Sequence, residues 1–349
     1  MAKKEMPNMK IWHKILFLFE IAFSARILYN RHNEICGKDP NSMKNLILPN
    51  GLEVSNVALG AMDFGTTTSK ENAFAVLDAY LDMGGNFVDT SNNYAHWQGT
   101  GDESETLLGE YFASRGCRDK VVLATKVGFD RHGQGQGLKK EQIEYWVEES
   151  LRKLQTDYID LYYAHTDDPS TPLEETMEAF HRLVEKGKVR CLGGSNYDTW
   201  RFAQANAVAK TPYTVMQQWF TYLQARGDVA PQYKFNEYAN RERLRYLEAE
   251  NIPLVAYSSL AKGGYENPAR LPAELVAGDR LVMLQTMAKE KGVSANALAV
   301  AWMVNLHRCA GFPRVIPLFG SSRVEHFVSN LSGAELQLTD AELQMLNNA

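Results

Sequence analysis

Four residues able to move protons stand at or just after the ends of short apolar runs. Asp89 closes Asn86-Phe87-Val88-Asp89, and a small polar turn delivers Tyr94 five residues later. Lys126 closes Val121-Val122-Leu123-Ala124-Thr125-Lys126, and His165 follows Tyr158-Ile159-Asp160-Leu161-Tyr162-Tyr163-Ala164. An acid and a phenol delivered together suit proton transfer. Each also has an ordinary reading: a turn cap, a half-buried aromatic, a surface lysine, a core histidine. The pattern recurs, however, with Gly193-Gly194-Ser195-Asn196, Gln217 and Tyr257-Ser258 at the same end of later apolar runs. Six in register argue for one shared site.

The elements that must position these residues alternate regularly. Strand-like runs fall at 57–60, 86–89, 120–125, 158–163, 189–193, 213–217, 253–257 and 315–317. Helical runs lie between them at 70–83, 103–114, 139–154, 173–186, 198–209, 237–250 and 280–307, the last splitting at Gly292 with Ser294 as a cap. Eight strands, each followed by a helix, describe a closed parallel (β/α)8 barrel, whose loops at the carboxyl ends of the strands converge on one face. Ahead of them, residues 46–54 form a hairpin around Asn50-Gly51, placed to close the bottom of the barrel.

Composition narrows the function. The chain has 349 residues, 45% apolar and 23% charged, as ordinary globular proteins do. A net charge of −5 gives no reason to expect nucleic acid. Cys36, Cys117, Cys191 and Cys309 are scattered without metal-ligand spacing, which argues against a metal site and fits a reducing, cytoplasmic compartment. Oligomeric state is not legible.

Residues 1–42 read differently, as an N-terminal extension, helical or disordered, with the barrel domain spanning 43–349. The extension carries +3 against −8 for the remainder. A dense apolar run from Ile11 to Phe23 is broken by Glu20 and is too short to span a membrane. It reads as a plain upstream extension or as an amphipathic helix lying, through residues 10–30, on a membrane surface or a partner.

The motifs now in view resemble those of the aldo-keto reductase family. Gly85-Asn86-Phe87-Val88-Asp89-Thr90-Ser91 with Tyr94 is similar to its first signature. Asp157-Tyr158-Ile159-Asp160-Leu161-Tyr162 leading to His165 is similar to its second, and Lys126 falls at the family's lysine position. The match runs from about Leu46 to Asn330. It implies an NADPH-dependent reductase of a small-molecule aldehyde or ketone, a sugar or other polar carbonyl among the options, with Asp89, Tyr94, Lys126 and His165 as its tetrad. Tyr94 is then the general acid that protonates oxygen as hydride reaches carbon. A nearby Lys126 ammonium helps a phenol that titrates near 10, Asp89 keeps the ammonium charged, and His165 donates to the carbonyl oxygen.

The resemblance also implies the cofactor contacts. Ser195, Asn196 and Gln217 hold the nicotinamide carboxamide and Tyr257 stacks on its ring. Ser258, Leu260 and Lys262 line the pyrophosphate, and the segment from Gly320 through Ser322 and Arg323 to Asn330 binds the adenosine end. Arg323 is the candidate for the 2′-phosphate. Leu318, His326 and Ser329 depart from the common pattern and leave NADH open as the alternative. Trp97, His96, Phe129 and Trp219 are candidate walls of the substrate pocket. Gly133-Gln134-Gly135-Gln136-Gly137 lacks the spacing of a phosphate loop. Two other readings remain: a barrel aldolase forming a Schiff base on Lys126, and an NADPH-binding regulatory subunit of the kind the family includes among potassium-channel partners.

Overall fold

The structure, a computed structural model, describes residues 43, 45–129, 137–226 and 238–349. The expected extension, with its apolar run and the contact proposed for residues 10–30, lies outside the described residues, as does most of the 133–137 glycine loop. No described helix is long and apolar enough to cross a membrane.

A hairpin of β1 (Asn45–Ile47) and β2 (Glu53–Ser55) opens the described chain, Leu46 facing Val54 across it. Gly51 takes φ +88° at its turn, a conformation that needs no side chain. Then come β3 (Ala58–Gly60), β4 (Phe87–Asp89), β5 (Val122–Val127), β6 (Ile159–Ala164), β7 (Val189–Ser195) and β8 (Val215–Trp219). After a short β9 (Gln224–Ala225) follow β10 (Leu254–Tyr257), β11 (Leu275–Val276) and β12 (Val315–Phe319). The strands β3 to β8, β10 and β12 pair in parallel and close into an eight-stranded barrel. Around it run α1 (Lys70–Asp82), α2 (Glu103–Arg115), α3 (Lys140–Leu154), α4 (Leu173–Glu185), α5 (Thr199–Val208) and α6 (Arg241–Ala249). The series ends with α7 (Gly278–Lys291), α8 (Ala295–Asn305), α9 (Val324–Leu331) and α10 (Asp340–Asn348). Gly292 ends α7 in the left-handed region, and Ser294 Oγ caps α8 by accepting from Ala297 N at 3.0 Å, as the sequence indicates.

The period-two alternation of a strand decides what fills the lumen. Phe87, Val122, Ala124, Leu161, Tyr163, Cys191, Val215, Val255 and Ile316 form its packed floor, closed from below by Leu46, Leu48 and Val54 of the hairpin region. Continuing the same parity upward brings Asp89 on β4, Lys126 on β5, His165 after β6, Ser195 on β7, Gln217 on β8 and Tyr257 on β10 to the carboxyl mouth. The residues of opposite parity pack on the helices.

Several details differ from the sequence reading, among them the sixth barrel strand, Val215–Trp219 where 213–217 was expected, and α10, which lies beyond the expected helical runs. The third barrel strand starts two residues later than expected, because Arg118–Lys120 forms a 3-10 turn. Arg118 holds that turn by donating to the carbonyls of Val121 and Tyr158 and to Asp160. The β9–β11 ribbon was not expected, since two residues per strand carry no periodic signal.

Candidate active site at the carboxyl mouth of the barrel

The cluster is built on neighbouring strands. In register, Asp89 pairs with Ala124 and Lys126 with Tyr163, so β4, β5 and β6 hold Asp89, Lys126 and His165 at adjoining steps of the barrel wall. Tyr94 comes from the turn after β4. Ala95, next to it, is held at φ +59°. Of seven non-glycine residues in the left-handed region among the described residues, five (Ala95, Asn196, Ser258, Ala261, Lys262) lie in loops after barrel strands at this mouth. Backbone strain of this kind gathers where a site fixes side chains that regular structure would not.

Lys126 Nζ donates to three oxygens: Tyr94 OH at 2.6 Å, the Thr90 carbonyl at 2.6 Å, and Asp89 Oδ1 in a shorter contact. An ammonium has three hydrogens, so all are used. Gln217 Nε2 donates to the second carboxylate oxygen, Asp89 Oδ2, at 2.8 Å, and Tyr94 OH donates to Oδ1 at 3.1 Å. Asp89 and Lys126 are completely buried. Burial drives the Lys126 pKa below the lysine range, and Asp89, followed by the more distant Glu105, opposes that fall. Burial raises the Tyr94 phenol well above its ordinary value, with the Asp89 charge next in size. The phenol therefore keeps its proton at neutral pH beside a cation placed to stabilise its anion.

His165 lies edge-on to Tyr94, ring centroids 5.8 Å apart, and edge-on to Phe129 at 4.5 Å. Burial, and secondarily the Lys126 charge, pushes its pKa well below the ordinary histidine value. Asn196 Nδ2 donates to the His165 carbonyl at 2.9 Å and to Ser195 Oγ at 3.2 Å, and Tyr257 OH donates to Asn196 Oδ1 at 2.8 Å. Asn196 N also donates to the Gln217 carbonyl at 3.3 Å, which joins Asp89, Tyr94, Lys126 and Gln217 to His165, Ser195, Asn196 and Tyr257 in one connected polar network.

The remaining candidates spread outward. Ser258 and Lys262 are exposed and Leu260 is buried, in the strained loop after β10. Gly320, Ser322 and Arg323 are exposed at the end of β12 and the start of α9, and Asn330 lies two helical turns beyond Arg323. Trp97, 56% exposed, packs edge-on against His96 at the rim. Trp219 is buried, edge-on to Tyr238.

The structure adds residues that the sequence reading did not single out. Ser91 Oγ donates to Asn93 Oδ1 at 2.8 Å and lies 3.0 Å from His165 Nδ1. Both residues were visible in the turn after Asp89, but their pairing needs the turn's conformation. Behind β5, the buried Glu105 accepts from Thr125 Oγ1 at 2.7 Å and from Lys153 Nζ at 3.1 Å. Among the described residues, no group of histidine, cysteine and carboxylate side chains could hold a metal ion.

Comparison with known proteins agrees with this architecture. Residues 56–349 match the model of the aldo/keto reductase family. Norsolorinic acid reductase stcV of Emericella nidulans is 36% identical over 317 residues, covering 84% of this chain and 77% of the relative. An aryl-alcohol dehydrogenase [NADP(+)] of Phanerodontia chrysosporium is 31% identical, covering 85% and 83%. A crystal structure of the thermostable aldo-keto reductase Tm1743 with the inhibitor epalrestat superimposes with a TM-score of 0.70 at 24% identity, over 88% of this chain and 99% of that one, and supports the fold. An eight-stranded parallel barrel floored by a hairpin, with a family match over nearly all of its length, leads to one conclusion: this chain belongs to the aldo/keto reductase family, whose members are oxidoreductases that use nicotinamide cofactors.

Proposed function

We propose that this protein reduces an aldehyde or ketone to the alcohol with NADPH, Tyr94 acting as general acid. The observation that carries the reading is the 2.6 Å contact from a completely buried lysine ammonium to a phenol oxygen at the barrel mouth. A bound nicotinamide would supply the hydride to the carbonyl carbon.

The residues present fit such a cofactor at both ends. At the inner end, Ser195, Asn196 and Gln217 offer a hydroxyl and two amides beside Tyr257, donors and acceptors suited to a carboxamide. At the outer end, Gly320 sits so close to β3 that a side chain there would come within 2.4 Å of the Gly60 carbonyl, which keeps this stretch open to a phosphate group. The first amides of α9 lie just beyond it, with no side-chain cap from Arg323. The Arg323 guanidinium forms no ion pair among the described residues, as befits a group awaiting a 2′-phosphate.

Tyr94 does the acid chemistry. Its hydroxyl hydrogen, now directed at Asp89 Oδ1, turns to the substrate oxygen and is transferred as that oxygen gains charge. Lys126 holds the resulting phenolate, and Asp89 with Gln217 holds Lys126. Well-placed acid catalysis of this kind is worth on the order of 10²–10⁴-fold. The three acceptors around Lys126 Nζ favour an ammonium over the free amine that a Schiff-base aldolase requires.

The reading is tested by following NADPH oxidation with the full-length protein across aldehydes, ketones, α-dicarbonyls and keto-sugars. Turnover with at least one class is expected; tight NADPH binding with no carbonyl oxidising it would favour a regulatory role. For the cofactor, Arg323→Ala should weaken NADPH about tenfold and leave NADH unchanged; equal effects on the two would remove Arg323 from the phosphate site.

A further inference from the structure

Three of the seven left-handed non-glycine residues fall within five positions after β10: Ser258 at φ +54°, Ala261 at +48° and Lys262 at +57°. Such conformations persist only where the surroundings over-determine them. Turn hydrogen bonds from the amides of Ala261, Gly263 and Gly264 to the carbonyls of Ser258, Leu260 and Ala261 give the loop its shape. Side chains give it its position. Tyr265 is completely buried. Its hydroxyl donates to the Ser259 carbonyl at 3.1 Å and accepts from Tyr222 N at 2.9 Å, with Thr221 and Leu223 also facing it. Ser259 Oγ donates to the Leu318 carbonyl on β12 at 2.9 Å, and Gln285 Nε2 of α7 donates to the Tyr265 carbonyl at 2.8 Å. A phenol both gives and accepts, so one oxygen joins two loops of the mouth, the one after β8 and the one after β10.

We propose that Tyr265 is a positioning residue for the cofactor. It holds the Ser258–Lys262 loop in its strained shape before the cofactor arrives, and ties that loop to the strand exit that carries Gln217. The inference rests on the cofactor reading above, which places Ser258, Leu260 and Lys262 along the pyrophosphate and Gln217 at the carboxamide. With phenylalanine at 265, the buried Ser259 carbonyl and the buried Tyr222 amide lose their shared partner. The loop then relaxes towards unstrained conformations that satisfy them. Only the fraction of molecules still in the strained shape binds cofactor, and the apparent affinity falls by that fraction. The pyrophosphate is common to NADPH and NADH, so both weaken alike.

The test measures dissociation constants of NADPH and NADH by tryptophan fluorescence quenching on the full-length protein. Tyr265→Phe should raise both by about tenfold. Tyr238→Phe is the control. The Tyr238 hydroxyl lies 2.6 Å and 2.9 Å from the Thr221 and Leu223 carbonyls, in the same β8 loop, and makes no hydrogen bond to the loop after β10 among the described residues. Its loss should lower the thermal midpoint as Tyr265→Phe does, yet leave both constants within about twofold. Amide hydrogen exchange gives a reading that lost stability alone would not. Ala261, Gly263 and Gly264 should be protected in the cofactor-free wild type, exchange faster in Tyr265→Phe, and regain protection at saturating NADPH. Fast exchange of these amides in the cofactor-free wild type overturns the proposal without need of any variant. So does unchanged affinity in a folded Tyr265→Phe protein, a loss confined to NADPH, or an equal loss in Tyr238→Phe. If the wild type binds neither nucleotide, the cofactor reading itself fails, and this inference with it.

Discussion

Two buried lysines stand back to back across β5, and they show how a charge pair facing the lumen differs from one within the helix layer. Lys126 points into the lumen, where it meets Asp89, the Thr90 carbonyl and the Tyr94 hydroxyl. On the other side of the strand, Lys153 of α3 lies between Glu105 and Asp102, its Nζ 3.1 Å and 2.7 Å from their carboxylates, and Thr125 ties Glu105 to β5. Both ammonium groups are buried against carboxylates, so burial and pairing alone do not mark a site. The lumen pair adds a phenol within hydrogen-bond reach at an open mouth. The helix-layer pair adds a threonine hydroxyl and the Trp146 ring, whose centroid lies 5.6 Å from Lys153 Nζ, and joins α2 to α3.

The sharpest way to break that comparison is to remove each ammonium in turn. Lys126→Met strands the Asp89 carboxylate and should cost about 3–5 kcal/mol of stability. It should also lower kcat by at least about 10². Lys153→Met strands Glu105 and should cost a similar amount of stability, read by urea denaturation, yet leave kcat per folded molecule within about threefold. Equal losses of kcat would dissolve the distinction.

The pH profile sharpens it further. Tyr94, raised well above its ordinary value, stays protonated through neutral and mildly alkaline pH. Lys126, lowered by burial, loses its charge first as pH rises. Reductive kcat at saturating NADPH should therefore fall on the alkaline side with an apparent pKa below the ordinary lysine value of about 10.4. Lys126→Arg, charged at every accessible pH, should move that limb upward or abolish it. A limb that stays put in Lys126→Arg would assign it elsewhere. The smallest effect belongs to Thr125→Val, which takes one hydrogen bond from Glu105 and should cost about 1–3 kcal/mol. Its kcat should be unchanged; a large fall would mean the outer pair acts on the lumen through β5.

Much of the lumen side was legible in the sequence for a geometric reason. Strand parity is strict, so an apolar run that ends in Asp89, Lys126 or Gln217 places that side chain in the lumen once its neighbours are assigned there. Tyr94 was legible only through its closeness to Asp89, since the turn between them has no period. The outer pair was not legible: Glu105 and Lys153 are 48 residues apart, on helices whose facing depends on packing around the barrel. The Ser91–Asn93–His165 contact depends on a two-residue turn hydrogen bond that composition does not specify. Trp219, expected as a pocket wall, follows the lumen parity of Val215 and Gln217 but is covered edge-on by Tyr238, a contact no local pattern announces.

The central claim is that the Tyr94 hydroxyl gives its proton to the substrate oxygen. Single-turnover NADPH oxidation by Tyr94→Phe, with an aldehyde the wild type reduces and a thermal midpoint confirming the fold, tests it most directly. The account predicts a rate lower by about 10²–10⁴ with cofactor affinity unchanged. A rate within a few-fold of wild type would contradict it.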